Sequence, residues 1–140
     1  MSDRTITIPK PCADEIVAHA RDEAPNECCG MLAGKGDAIA KVYRATNMDR
    51  SPVKYTIDPK DIMRIDREAA KAGFDIVAFY HSHTFTEAYP SVTDVKLVGP
   101  NSFFDYVYVI VSLSDQGKPS IRAFKIVNGD VSEIPVMIGN

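Results

Sequence analysis

The chain of 140 residues has no tryptophan and only three cysteines, Cys12, Cys28 and Cys29. Their spacing matches neither a metal-ligand pattern nor the framework of a disulfide-stapled secreted domain, so reduced thiols are expected. Basic excess is absent too: 16 Lys and Arg face 19 Asp and Glu, for a formal charge of −3 and a pI near 5.6. Such a balance argues against a nucleic-acid partner, which calls for a basic footprint. No apolar stretch reaches the length of a membrane span, and Met1-Ser-Asp-Arg-Thr5 lacks the apolar segment of a secretory leader. A cytoplasmic protein with no membrane partner is expected. Repeats, low-complexity runs and linkers are missing, so residues 1–140 read as one domain, large enough to bury a core without disulfides or a structural metal. No glycine-rich phosphate turn follows any strand-like run, which argues against a parallel dinucleotide-binding sheet.

What is present reads as ordinary globular sequence, 45% apolar and 25% charged. Residues 5–8 alternate like a strand; Pro11 suits a first helical turn, and Ala13, Ile16, Val17 and Ala20 recur at helical spacing up to about Pro25. His19 is placed on the partly exposed side of that helix. Residues 28–33 and 38–45 read as a hairpin around Gly34-Lys-Gly36, followed by a surface loop over residues 47–56. Asp58 as N-cap, Pro59 after it and the stripe Ile62, Ile65, Ala69 and Ala72 predict a second helix ending before Gly73. Residues 74–80 form a buried strand, residues 84–90 a loop, and Ser91 opens a short helix. Strands are expected over 105–113 and 121–127, with Asn128-Gly129 turning into a last strand over 131–138. The sum is an α+β sandwich, a mixed sheet with helices on more than one side.

The chemistry concentrates in His81-Ser82-His83, with Ser91 seven residues on and Asp94 two residues beyond that. Histidines at i and i+2 of an extended strand point to one face, so a single cation can be held by both. Zinc takes nitrogen and carboxylate ligands in a tetrahedron, and catalytic sites use three protein ligands; His81, His83 and Asp94 make that count. Ser91 with an acid three residues later is also a capping box, a reading compatible with the first because Asp94 on the opening turn can aim back at the strand end. Hydrolysis further needs a group that takes a proton from water and returns it to the leaving amine. Glu27, Glu87 and Asp105 are the candidates. Glu27 stands out, since it opens an apolar, glycine-containing strand where a charge has no packing role, although a solvated turn residue after Pro25-Asn26 is the plain alternative.

The pattern Glu, His-x-His, seven residues, Ser, two residues, Asp resembles the JAMM, or MPN-plus, metallopeptidase family. Glu27-Cys-Cys-Gly30-Met-Leu32-Ala-Gly34 is similar to the family's first strand, and the likeness extends along essentially the whole chain. Tyr80-His-Ser-His-Thr84, Glu87-Ala-Tyr-Pro-Ser91 and Thr93-Asp-Val-Lys-Leu97 look most like a short bacterial branch that releases cysteine from a ubiquitin-like sulfur-carrier protein. The resemblance implies a cytidine-deaminase-like α-β-α sandwich, with a mixed curved sheet of about six to seven strands, two long helices and one short helix. It also implies one Zn2+ per chain on His81, His83 and Asp94, Glu27 as proton acceptor and donor, and Ser91 as hydrogen-bond donor to the oxyanion. His19 is then no partner for a nucleophilic serine. Cys29 shares a strand face with Glu27 while Cys28 faces the other layer, and both read as small buried thiols.

A flexible Gly-Gly tail is best bound extended along a sheet edge, which makes the loops at residues 47–55 and 84–90 the expected walls. Asn47, Tyr55, Phe85 and Tyr89 are the candidate substrate contacts. The implied partner is a sulfur carrier ending in Gly-Gly, the implied assembly a monomer or homodimer. Three rivals stand beside this reading: a peptidase or isopeptidase that trims tails or conjugates of ubiquitin-like proteins; a non-catalytic MPN scaffold, which normally lacks the metal ligands; and a nucleic-acid-linked relative of the kind found in bacterial DNA-repair proteins, which the acidic pI disfavours.

Overall fold

The apolar run before the histidines becomes the middle of the sheet. In the computed structural model, which describes residues 4–98, 106–115 and 117–139, this run lies in β4 (Asp75–His83). It pairs antiparallel with β2 (Cys29–Lys35) and parallel with β5 (Val107–Ser112). With neighbours on both edges and helices or loops over both faces, β4 and β5 have little need of polar alternation, which is why they read as near-continuous apolar segments. Around them stand β1 (Ile6–Pro9), β3 (Ala38–Ala45), β6 (Ser120–Val127), β7 (Asp130–Ile134) and β8 (Val136–Gly139). The sheet order is β7-β6-β5-β4-β2-β3-β1-β8. The helices are α1 (Lys10–Glu23), α2 (Pro59–Lys71) and the short α3 (Val92–Val98).

Among the described residues the expected α+β architecture and helix count hold, but the sheet has eight strands instead of six to seven. The extra strand arises where one strand was expected over residues 131–138. Proline has no N–H for a ladder and breaks a strand interior. Pro135 accordingly ends β7, and its carbonyl accepts the Ile6 N–H at 2.9 Å. β8 then runs parallel to β1, with Ile6 opposite Val136, while β7 pairs antiparallel with β6 at the other edge. One residue therefore joins the two edges of a large, nearly closed sheet. The turn before β7 is as expected: Asn128 and Gly129 have φ of 51° and 84°, the left-handed pair that a two-residue hairpin demands. The expected strand start at Asp105, and Asp105 as a candidate acid, lie outside the described residues.

Helix α1 covers one face of the sheet. Ile6, Ile8, Ile16, Leu32, Val107, Val109 and Val111 are fully buried there, each contributing about 2 kcal/mol of burial. Asp58 caps α2 by accepting the Lys60 N–H at 2.9 Å, and Ile65 and Ala69 press α2 onto Met31, Ala33 and Tyr43 on the opposite face. Tyr80 projects to the α1 side and crosses Gly30, its register partner on β2. A Cβ at Gly30 would collide with the Tyr80 ring and the Tyr43 carbonyl, so this close approach requires glycine. His19 differs from expectation. It is 4% exposed on the sheet-facing side of α1, and its Nδ1 shares a 2.7 Å hydrogen bond with the Tyr80 hydroxyl. A ring that can satisfy its polar atom inside need not sit at the rim.

Candidate functional site

The period of two that sends Tyr80 toward α1 sends His81 and His83 to the other face, at the carboxyl end of β4. There α3 begins. The Asp94 N–H donates to Ser91 Oγ and the Ser91 N–H to Asp94 Oδ2, both at 3.0 Å, a reciprocal capping box. The same Asp94 Oδ2 lies 3.0 Å from His81 Nε2 and 3.0 Å from His83 Nε2, and the two Nε2 atoms are 3.2 Å apart. Capping and ligand geometry are thus one arrangement: the box rotates Asp94 so that the oxygen closing it also faces the histidines.

Three such atoms fit a cation better than they fit each other. A tetrahedral ion about 2.0–2.1 Å from each ligand would space its ligand atoms about 3.3 Å apart, close to the triangle found here. Tautomer chemistry agrees. The Glu87 carbonyl lies 2.8 Å from His83 Nδ1 and can only accept, so Nδ1 carries the proton and a neutral His83 has a bare lone pair at Nε2. That lone pair faces a carboxylate oxygen. All three side chains are 3–4% exposed, and Asp94 Oδ1 is buried without a partner. Among the described residues these three form the one group able to hold a metal ion.

The charges follow the same geometry. Burial works to raise Asp94, but the two imidazoles 3.0 Å away, His81 and His83, outweigh it whenever they carry a proton toward it and hold its carboxyl far below the usual range. Burial lowers His81 with Asp94 opposing only in part, whereas at His83 burial is outweighed by Asp94 and the Glu87 carbonyl, and its pKa rises.

Glu27 arrives from the opposite strand. Cys29 pairs with His81, the Cys28 carbonyl accepts the Ser82 N–H at 3.1 Å, and Ser82 Oγ accepts the Cys28 N–H at 2.8 Å. One step further Glu27 comes level with His83 and on its face. The regular ladder has ended by then, and a loop takes over. Glu27 donates its N–H to the Ser51 carbonyl at 2.8 Å, and its carbonyl accepts from Asn47 Nδ2 at 3.0 Å. The side chain is 3% exposed with Oε1 unpartnered. Burial pushes its pKa up to about 8, His83 pulling it down and Asp94 pushing it further up.

This arrangement can be compared with known proteins. The sequence profile of the prokaryotic homologs of the JAB domain matches residues 9–127. The chain belongs to the JAB/MPN family. The CysO-cysteine peptidase of Mycobacterium tuberculosis is 42% identical to this JAB domain over 125 residues, 88% of the chain and 84% of the relative. A desampylase of Haloferax volcanii is 35% identical over 119 residues, 80% and 84% of the two chains. Among solved structures, a protein of Desulfitobacterium hafniense superposes with a TM-score of 0.84 at 34% identity, covering 95% of this JAB domain and 92% of that chain.

The remaining candidates of the JAB domain divide into braces and open surfaces. Asn47 is buried and its amide is fully engaged: Nδ2 donates to the Glu27 and Lys54 carbonyls, and Oδ1 accepts the Asp49 and Thr56 N–H groups at 3.0 and 3.1 Å. It organises the loop that carries Glu27. Tyr55, 8% exposed, stacks on His81 with ring centroids 4.3 Å apart, so one face of its ring holds a histidine of the cluster in place. Its other surroundings form a cavity of about 340 Å³ with Ile57, Ile62, Phe79 and Tyr108. Phe85 is 71% exposed. Tyr89 is 45% exposed and edge-on to Phe124 at 5.3 Å. The Glu87 side chain is exposed; its part in the site is played by the backbone carbonyl, which no side-chain pattern could reveal. Cys29 faces the site and Cys28 the α1 layer, and burial pushes both thiols up, Cys28 to about 12.

Proposed function

We propose that this protein is a zinc-dependent peptidase that hydrolyses the amide bond after the C-terminal Gly-Gly of a ubiquitin-like sulfur carrier and releases cysteine. One observation carries the reading: three buried atoms of metal-ligating type, His81 Nε2, His83 Nε2 and Asp94 Oδ2, converge at 3.0–3.2 Å on the face that also bears a buried glutamate whose Oε1 has no partner. His81, His83 and Asp94 would hold a divalent ion, which would supply Lewis acidity toward a carbonyl and lower the pKa of bound water toward neutrality.

The chain's own residues do the rest. Glu27, with proton affinity near neutrality, accepts the proton of the attacking water and returns it to the departing amine. Its free Oε1 is the atom available for that transfer. Ser91 Oγ accepts the Asp94 N–H, which leaves its O–H to donate to the carbonyl oxygen as charge develops there. Ser91 is no nucleophile, since His19 is committed to Tyr80 on the other side of the sheet. The loop over residues 84–90 is held by Ala88 in the core with Ile110 and Phe124, which keeps Glu87 under His83 and leaves Phe85 and Tyr89 open to a tail.

The cysteine-releasing reading leans on the 42% identical mycobacterial relative. The relative named desampylase favours a second reading, cleavage of conjugates or precursor tails of ubiquitin-like proteins by the same chemistry. A non-catalytic scaffold would have no use for the complete ligand set. Incubating the zinc-loaded protein with a carrier ending in Gly-Gly-Cys should release one cysteine, seen by mass spectrometry, and Glu27→Gln should slow this about a hundredfold while retaining metal. Cleavage of isopeptide conjugates with carrier-cysteine left intact would transfer support to the second reading. No cleavage of either substrate would overturn both.

A further inference from the structure

The loop that brings the Glu87 carbonyl to His83 is anchored at both ends. At the near end Ser112 Oγ donates to the Thr86 carbonyl at 2.6 Å, and the Leu113 N–H to the His83 carbonyl at 2.9 Å. At the far end the Tyr89 N–H donates at 2.9 Å to the Glu87 carbonyl, the same oxygen that lies 2.8 Å from His83 Nδ1. This is a tight turn closed by an i to i+2 bond, with Ala88 at its centre. Ala88 is buried against Ile110 and Phe124. The direction of the oxygen that faces His83 therefore depends on where Tyr89 is held.

What holds Tyr89 comes from β6. Register carries His81 on β4 to Ile110 on β5 and on to Arg122 on β6, a row on one face of the sheet. The Tyr89 ring meets Phe124 edge-on at 5.3 Å, and the Arg122 guanidinium lies 5.8 Å from the Tyr89 centroid and 5.3 Å from that of Phe124. A cation within about 6 Å of two rings is attracted to both. Glu133 on β7 sets its plane: Arg122 Nε and Nη2 donate to the two carboxylate oxygens at 2.8 and 2.7 Å. An ion pair this open to solvent adds little stability by itself, but a two-point fork fixes the orientation of the guanidinium over the rings.

We propose that Arg122 is a positioning residue for the metal centre: by clamping Tyr89 against Phe124 it keeps the Glu87 carbonyl on His83 Nδ1. The inference rests on the metal-dependent reading above and adds to it a residue two strands away from the histidines. A proton held on Nδ1 leaves the Nε2 lone pair for an ion and fixes the rotation of the ring. Without the clamp the turn at Ala88 loosens, and His83 loses the partner that orients it.

The test reads zinc affinity by competition with a chelator, without substrate, and solvent exchange of the His83 Nδ1–H proton by NMR in the zinc-loaded protein. Arg122→Leu should weaken zinc binding by about tenfold and speed that exchange, while the ring signals of His19 on the opposite face stay in place. Arg122→Lys keeps the charge without the planar fork and should recover part of the affinity. Tyr89→Ala should match Arg122→Leu, and the double variant should cost little more than either, because both act on one turn. Wild-type affinity and exchange in Arg122→Leu, fully additive losses in the double variant, or His19 signals that move together with those of His83 would overturn the clamp. Cleavage does not enter these readings, so a wild type that binds zinc but leaves every carrier intact would bring down the peptidase reading alone. A wild type that binds no zinc would bring down the metal centre and the clamp with it.

Discussion

The two faces of β4 hold all three histidines of the chain, each 3–4% exposed, and they put them to opposite uses. On the α1 face, His19 meets a phenol, a group that can donate as well as accept, so its polar atom is satisfied without any ion. On the other face, His81 and His83 bring both Nε2 atoms to the same oxygen of Asp94, at 3.0 Å each. Burial of a histidine is therefore no sign of a ligand; convergence of three possible ligand atoms is. Strand alternation explains how both environments arise one residue apart, at Tyr80 and His81.

The largest expected effect breaks the converging side of this contrast. His81→Ala combined with Asp94→Ala should weaken zinc binding by more than about a hundredfold, since loss of even an outer supporting partner costs about 10- to 100-fold. Titration against a competing chelator checks this, and unchanged affinity would refute the assignment. A smaller effect should follow Asn47→Ala, which touches no ligand. It frees the Glu27 carbonyl and the loop it braces, so turnover should fall about tenfold while metal stoichiometry stays the same. Metal loss in that variant would mean that the loop supports the ligands instead of Glu27.

The smallest effect sharpens the satisfied side. Burial first, then Arg44, lowers the His19 pKa to about 4, against opposing Glu15 and Asp22. A histidine depressed in the folded state favours folding fully above its ordinary value near 6.5, and this contribution fades as pH falls toward 4. His19→Gln cannot titrate. Its stability deficit relative to wild type should shrink by about 2 kcal/mol between pH 7 and pH 4.5, read from denaturant unfolding. Zinc affinity should not move, and a deficit independent of pH would contradict the neutral, buried ring.

Much of this was legible because one rule governed it. Alternation placed the histidine pair on one face, and the Ser91 and Asp94 spacing encoded a capping box whose geometry also delivers the carboxylate. The Asp58-Pro59 start of α2 and the Asn128-Gly129 turn are equally local, so side-chain identity was enough. What escaped depends on partners distant in sequence. Nothing near Glu87 says that its carbonyl, and not its carboxylate, faces His83. Asn47 and Tyr55 were expected to touch substrate because loops carry specificity; the structure spends the Asn47 amide on the backbone and one Tyr55 face on His81. Residues 131–138 alternate well enough for one strand, and only the free edge of β1 explains why the chain crosses over after Pro135.

That crossover orders events during synthesis. Every residue of the proposed metal centre and its glutamate emerges by Asp94, whereas Ile6 waits for Val136 to complete its pairing. Until then β1 has one register pair, Thr7 with Ala38, and an open edge. Such contacts, spanning nearly the full chain, are the slow ones to form. The residues of the proposed ion pocket are thus all present before the strand that seals the wall, and the seam between β1 and β8 is the last of the ladders to become available.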